Sequence, residues 1–127
     1  MKSHLRLLAL SLLMLPLLAL ANGPSNKWRI QINHSAKVDG EVELSFTPKD
    51  ATAATSVIVK IPAGTHENQA ARLIRDAIRA QFGKSIYKTE IDDGEDVLVK
   101  TRGSTPNVEI VVVRNTAEGL TLNLDRE

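Results

Sequence analysis

Alternating hydrophobicity in seven short segments, with helical periodicity in only one, constrains the fold of this chain more than any other feature. Trp28, Ile30 and Ile32 alternate with polar residues, which is the period of a half-buried β-strand. The same pattern predicts strands at Val42, Leu44 and Phe46, at Val57, Val59 and Ile61, and over residues 86–91, 97–101, 108–114 and 120–124. One helix cannot supply the crossovers of a parallel sheet, so we expect mainly antiparallel pairing.

The helical segment lies between Thr65 and Gly83. Its apolar residues share one broad face at helical spacing, with Phe82 at the margin: Ala70, Ala71, Leu73, Ile74, Ala77 and Ile78. Thr65 is placed to cap the first turn, and the helix dipole stabilises the negative charge of Glu67 in that turn. Gly83 is placed to end the helix in a left-handed conformation. The apolar face must cover a sheet.

The sequence therefore predicts a single α+β domain, a mainly antiparallel sheet covered by one amphipathic helix, in the order βββ-α-ββββ. Asp93-Gly94 predicts a two-residue hairpin, because that turn needs positive φ angles. The apolar run Val111-Val112-Val113 fits a central strand covered on both faces.

The first 21 residues predict a secretory signal peptide. Lys2 and Arg6 precede an uncharged run over residues 7–20, and small residues at Ala19 and Ala21 suit a signal peptidase. The alternative is an uncleaved anchor, but the run is shorter than the roughly 20 residues that span a membrane, and Pro16 interrupts it. We expect cleavage after Ala21, a mature domain of residues 22–127, and a periplasmic or secreted location.

The composition argues against several classes of function. The chain has no cysteine, so disulfides, thiol catalysis and cysteine-based metal sites are excluded. The net charge of +1 gives no case for nucleic-acid binding. His66-Glu67 lacks the second histidine of a zinc-protease helix, since Ala70 occupies that position. A triad of His34, Asp39 and a serine lacks a G-x-S-x-G turn. We therefore predict no catalytic residue, cofactor or metal.

Two charged features are candidate partner-binding sites. Arg72, Arg75 and Arg79 lie opposite the apolar helix face, and Asp76 can pair with Arg72 or Arg79. We expect reversing the charges of Arg75 and Arg79 to leave folding intact. The second feature is the hairpin tip, where a rigid acidic turn can meet a basic partner. Its candidate residues are Asp92, Asp93 and Glu95.

The acidic run over residues 90–96 also allows a calcium loop. Such a loop needs a bidentate acid farther along the chain, and that position is Thr101. A solvated hairpin tip therefore explains the run better.

One stretch resembles a unit of phage tail-sheath proteins. It comprises Ile61-Pro62-Ala63-Gly64-Thr65, then Ala70-Ala71 and Ile74, then Gly94 before Val97-Leu98-Val99. In that family a strand leads through a Gly-Asp-Thr turn to an alanine-rich helix and a hairpin. The resemblance covers about a third of the chain and implies a compact assembly or interaction module. Members of the family assemble in the cytoplasm and lack a leader, so no site is carried over.

These observations favour a small exported, non-enzymatic domain that binds another envelope or secreted protein, or itself. An inhibitor-like or immunity-like role belongs to this class. Two alternatives stay open: a carboxylate-dependent hydrolase of cell-envelope polymer, and a calcium-stabilised structural module.

Overall fold

The computed structural model describes residues 23–127, and the predicted signal peptide lies outside them. One helix and seven strands follow in the predicted order: β1 (Lys27–Asn33), β2 (Gly40–Pro48), β3 (Thr55–Ile61), α1 (Glu67–Phe82), β4 (Tyr87–Asp92), β5 (Asp96–Thr101), β6 (Val108–Asn115) and β7 (Thr121–Arg126). The α+β class and the order βββ-α-ββββ are confirmed. No helix in this part of the chain is long and apolar enough to cross a membrane.

The strands form two antiparallel sheets. The four-stranded sheet has the order β4-β5-β1-β7, and the three-stranded sheet has the order β3-β2-β6. Alternate residues of β1, β2 and β3 are buried, as the sequence pattern predicted, whereas β5 has four consecutive buried residues. The buried residues of the strands and the helix form one core. Trp28 on β1 joins the two sheets, because its buried indole Nε1 donates a hydrogen bond of 2.7 Å to the Val108 carbonyl on β6.

Helix α1 packs against both sheets, contacting β3 of one and β4, β5 and β1 of the other. Its buried residues are Ala70, Ala71, Ile74 and Ile78, which confirms the predicted apolar face. The predicted cap is wrong. His66 occupies the N-cap position, and the Thr65 hydroxyl donates to the Pro62 carbonyl at 2.7 Å. Thr65 is thus used to close the preceding turn.

The turns around the helix and the hairpin use positive φ angles, as predicted. Gly83 follows the helix with φ of 74°, and its N–H donates to the Arg79 carbonyl. Asp93 and Gly94 have φ of 53° and 83°. The hairpin is longer than expected, because Asp92 pairs with Asp96 and Glu95 therefore belongs to the loop.

The valine run Val111-Val112-Val113 is not central. It lies in β6, an edge strand of the three-stranded sheet, and Val113 is 56% exposed. The pairing of β2 with β6 shifts register between Glu43 and Leu44. This irregularity interrupts the alternation of β6, which explains why three consecutive valines need not be buried on both faces.

Candidate functional site

The three helix arginines have different environments. Arg72 is exposed. Arg75 Nε donates to Asp76 Oδ1 at 2.9 Å. The predicted pairing of Asp76 with Arg72 or Arg79 is therefore wrong, because Asp76 pairs with Arg75. Arg79 donates from Nε and Nη2 to the Thr89 carbonyl on β4, at 3.1 and 2.7 Å. Arg79 therefore holds the helix against an edge strand, which a freely solvated arginine would not do.

This contact changes the expectation for charge reversal. We expect Arg79→Ala to lower the free energy of unfolding by about 1–2 kcal/mol, because two charge-assisted hydrogen bonds to one carbonyl are lost. Arg72→Ala is the matched control, and its effect is expected within about 0.5 kcal/mol. Urea denaturation of both variants measures the difference. Equal stabilities of the two variants would show that the Arg79 contact contributes nothing.

The acidic hairpin is partly neutralised by a residue of β1. Arg29 Nη1 lies 3.0 Å from Asp92 Oδ2 and 2.7 Å from Asp96 Oδ2. Its Nη2 lies 3.3 Å from Glu127 Oε1. Of the predicted partner-binding acids, Asp92 is therefore engaged inside the domain, whereas Asp93 is exposed and Glu95 is half-buried at the tip.

The Arg29 network makes part of the fold sensitive to acid. Glu127, Asp96 and Asp92 raise the pKa of Arg29 further above its usual range. In return the hydrogen bond from Arg29 holds the pKa of Glu127 below its ordinary 4.5. A carboxylate with a depressed folded-state pKa stabilises the fold above its unfolded pKa. This contribution is lost as the pH falls through the lower, folded-state value.

The hairpin geometry offers little to a calcium ion. Within residues 23–127 no group of three or more histidine or acidic side chains is arranged to hold a metal. Asp92 and Asp96, the two acids that close the hairpin, both face the Arg29 guanidinium. Arg29 thus pairs with one oxygen of each acid, and Asp96 Oδ1 is buried without a hydrogen-bond partner in the described residues.

The two histidines of this region lie close together, but not in the suggested triad. Ser35 Oγ and His66 Nδ1 are 3.0 Å apart. The Glu67 carboxylate accepts a hydrogen bond from the His34 backbone N–H at 3.1 Å. Asp39 accepts one from the Ala63 N–H at 2.7 Å. These contacts use the backbone of His34 and the carboxylate of Asp39, and within residues 23–127 no hydrogen bond joins the two residues.

The outer faces of the two sheets differ in chemistry. On the four-stranded sheet, charged side chains pair with one another: Lys88 and Lys100 lie 3.7 and 3.4 Å from Glu90, beside the Arg29 network. Leu98 is the large apolar residue of this face, and it is only 7% exposed. The outer face of the four-stranded sheet is therefore covered by paired charged side chains and offers little apolar surface.

The outer face of the three-stranded sheet, which we call the β3-β2-β6 face, is different. Ile58 on β3 is 53% exposed, between buried Val57 and Val59. It lies opposite Glu43 of β2, and Glu43 lies opposite Arg114 of β6, next to Val113. Exposed aliphatic side chains thus lie on both edge strands of this sheet.

Between these edge residues the β3-β2-β6 face carries both hydroxyl-bearing and charged side chains, including Ser45 and Glu43 on β2. Ser45 lies opposite Ser56 on one side and Val111 on the other. The Glu43 carboxylate accepts a hydrogen bond from the Ser56 hydroxyl at 3.0 Å, and Arg114 Nη2 lies 3.5 Å from Glu43 and 2.9 Å from Glu41. The face is therefore a mixed surface of aliphatic, hydroxyl and partly paired charged groups, and interfaces between separately folded proteins commonly have this mixed composition.

Sequence reasoning did not single out this face. The signal in the sequence was Ile58 itself, an isoleucine at the outward position of an alternating strand. Val113 gave no such signal, because its exposure depends on the irregular pairing of β6.

No protein-family model matches the chain, and a search of curated proteins gave no match.

Proposed function

We propose that this chain is a small exported, non-enzymatic domain of the periplasm that binds a protein partner through the β3-β2-β6 face. The observation that supports this proposal most strongly is the exposure of Ile58 and Val113 on its two edge strands. They are two of the four large hydrophobic residues that are exposed in the described part of the chain. These aliphatic side chains on both edges of one sheet offer apolar contact area to a partner that covers the face.

The partner is another protein of the same compartment or a second copy of this chain. A flat face suits either, because the sheet offers side chains and no cleft. The edge strands β3 and β6 have one in-sheet neighbour each, so an extended partner segment can add its main-chain hydrogen bonds to those of the face. The exposed residues Arg72 and Asp93 and the half-buried Glu95 lie on other elements, and we assign them a secondary role in steering.

A charge-insertion experiment tests the role of the face. The double variant Ile58→Lys with Val113→Lys places two ammonium groups on the face. The control variant Thr121→Lys with Asn123→Lys adds the same charge to the outer side of β7. All four residues are exposed, so we expect melting temperatures close to that of the unmodified domain. We expect the face variant to bind about tenfold or more weakly, because lysine at a desolvated contact must lose its hydration.

The readouts are affinity capture from envelope extract with quantitative mass spectrometry, and sedimentation of the purified domain over a concentration series. A protein captured by the unmodified domain and the control but lost from the face variant supports the proposal. A dimer lost only from the face variant supports the self-binding form. Equal capture by all three proteins contradicts it, as does a strict monomer that captures nothing.

A further inference from the structure

Four cationic side chains surround a small cavity at the end of α1, away from the β3-β2-β6 face. They are Arg79 on the helix, Lys84 after it, Lys88 on β4 and Arg102 after β5. Tyr87, Thr89 and Glu90 complete the lining, and the cavity volume is about 140 Å³. This is room for a group of a few heavy atoms, not for a large ligand.

The cavity has one carboxylate to offset its four cations. Glu90 is shared, because its carboxylate lies 3.7 Å from Lys88 and 3.4 Å from Lys100. Lys84 and Arg102 form no ion pair within residues 23–127. The lining therefore keeps an excess of positive charge, and two guanidinium groups in it provide the planar donor geometry that suits an oxyanion.

One of these cations is held in a fixed position. Nε and Nη2 of Arg79 both donate to the Thr89 carbonyl. This contact fixes the plane of the guanidinium and leaves Nη1 unused within the described residues. A preorganised donor loses less conformational entropy when an anion binds.

The buried side of the cavity is lined by Tyr87 and Thr89. Tyr87 and Thr89 are each 3% exposed, and the Tyr87 ring packs at 5.0 Å from Phe82. Burial raises the pKa of the Tyr87 hydroxyl above its ordinary 10, so it stays a neutral donor. The Thr89 hydroxyl is buried without a hydrogen-bond partner in the described residues. Buried polar groups usually have a partner.

The helix dipole explains only part of this cluster. Cations near a helix C-terminus are favourable, and Arg79 and Lys84 flank the end of α1 at Phe82. Lys88 lies on β4, and Arg102 directly follows β5. The pairing of β4 with β5 brings them to the same cavity, and the Arg102 N–H donates to the Ile86 carbonyl at 3.0 Å. The helix dipole therefore does not explain why Lys88 and Arg102 lie beside the same cavity as Arg79 and Lys84.

We propose that this cavity binds a phosphate group, either free or carried on a lipid headgroup. Arg79 and Arg102 supply directional N–H donors, Lys84 and Lys88 supply mobile ammonium groups, and buried Tyr87 supports the floor. This site is independent of the protein-binding function proposed above, and its failure would leave that function untouched.

The test compares two charge-reversal variants of the mature domain. Lys84→Glu with Arg102→Glu alters the cavity. Lys37→Glu with Lys49→Glu changes the net charge equally at exposed lysines before and after β2. One arm titrates inorganic phosphate and follows backbone amide shifts. The other measures co-sedimentation with phosphatidylcholine vesicles with and without phosphatidic acid.

We expect saturable shifts at Lys84, Lys88, Thr89 and Arg102, about tenfold weaker in the cavity variant and unchanged in the control. Binding of phosphatidic acid vesicles that requires the same residues identifies the headgroup as the source. Binding of free phosphate alone identifies a soluble anion. Saturable binding in neither arm, or equal loss in both variants, overturns the proposal whatever the outcome of the partner-capture experiment.

Discussion

Replacing Trp28 with alanine is expected to remove about 3–5 kcal/mol from the free energy of unfolding. Its side chain is fully buried, and it lies where β1 meets β6. The substitution leaves a large cavity between the sheets and removes the 2.7 Å hydrogen bond to the Val108 carbonyl. Small domains are stable by about 5–15 kcal/mol, so the loss is a large part of the total.

Trp28→Phe is the matched control for this prediction. It keeps an aromatic ring in place, and the Val108 carbonyl still accepts the Ser25 N–H at 2.9 Å. We expect a loss of about 1–2 kcal/mol. Trp28 is the sole tryptophan, so urea unfolding is followed by far-ultraviolet circular dichroism in all three proteins. A loss under about 1 kcal/mol in the alanine variant would show that Trp28 does not join the sheets.

The second large effect is expected at Gly119, in the turn between β6 and β7. Its φ is 97°, and an added Cβ would lie 2.4 Å from the Ser35 carbonyl oxygen and 2.9 Å from Lys37 Cγ. Gly119→Ala therefore combines an unfavourable backbone conformation, about 1–2 kcal/mol, with overpacking of about 1–3 kcal/mol. The same turn is anchored by the Lys37 N–H, which donates to the Glu118 carbonyl at 2.7 Å.

Gly103 separates these two causes. It also has positive φ, 54°, but an added Cβ would meet nothing within 4 Å. Gly103→Ala should therefore cost only the conformational part, about 1 kcal/mol. Thermal and urea unfolding of the two variants measure the difference. Losses of equal size would mean that the turn does not dock closely on residues 35–37.

Most secondary-structure elements of the fold could be predicted from local sequence patterns. Alternation identified β1, β2 and β3, and the spacing of Ala70, Ala71, Ile74 and Ile78 identified the buried helix face, because both periods are set by backbone geometry. The cap at Thr65 was mispredicted because a hydroxyl can bond to an earlier carbonyl as well as to a helix N–H. The division into two sheets depends on which strands pair, and distant pairing leaves no local signal.

The charged residues were the least predictable part. Arg29 pairs with Asp92, Asp96 and Glu127, which are 63 to 98 positions away in sequence. Such contacts follow from register between β1, β5 and β7. The same reason explains why Arg79 was taken for a free surface arginine, and why Lys88 and Arg102 were not connected with it. Side-chain periodicity shows which face of its own element a residue occupies. It does not show which residue of another strand or helix that side chain contacts.

Amide hydrogen exchange of the domain, alone and saturated with its captured partner or self-associated at high concentration, tests the proposed interface most directly. Added protection should concentrate in β3, β2 and β6, including the amides of Ile58, Ser45 and Val113. Protection confined to the hairpin at Asp93 and Glu95, to the exposed side of α1 at Arg72, or to the outer side of the four-stranded sheet would contradict the account.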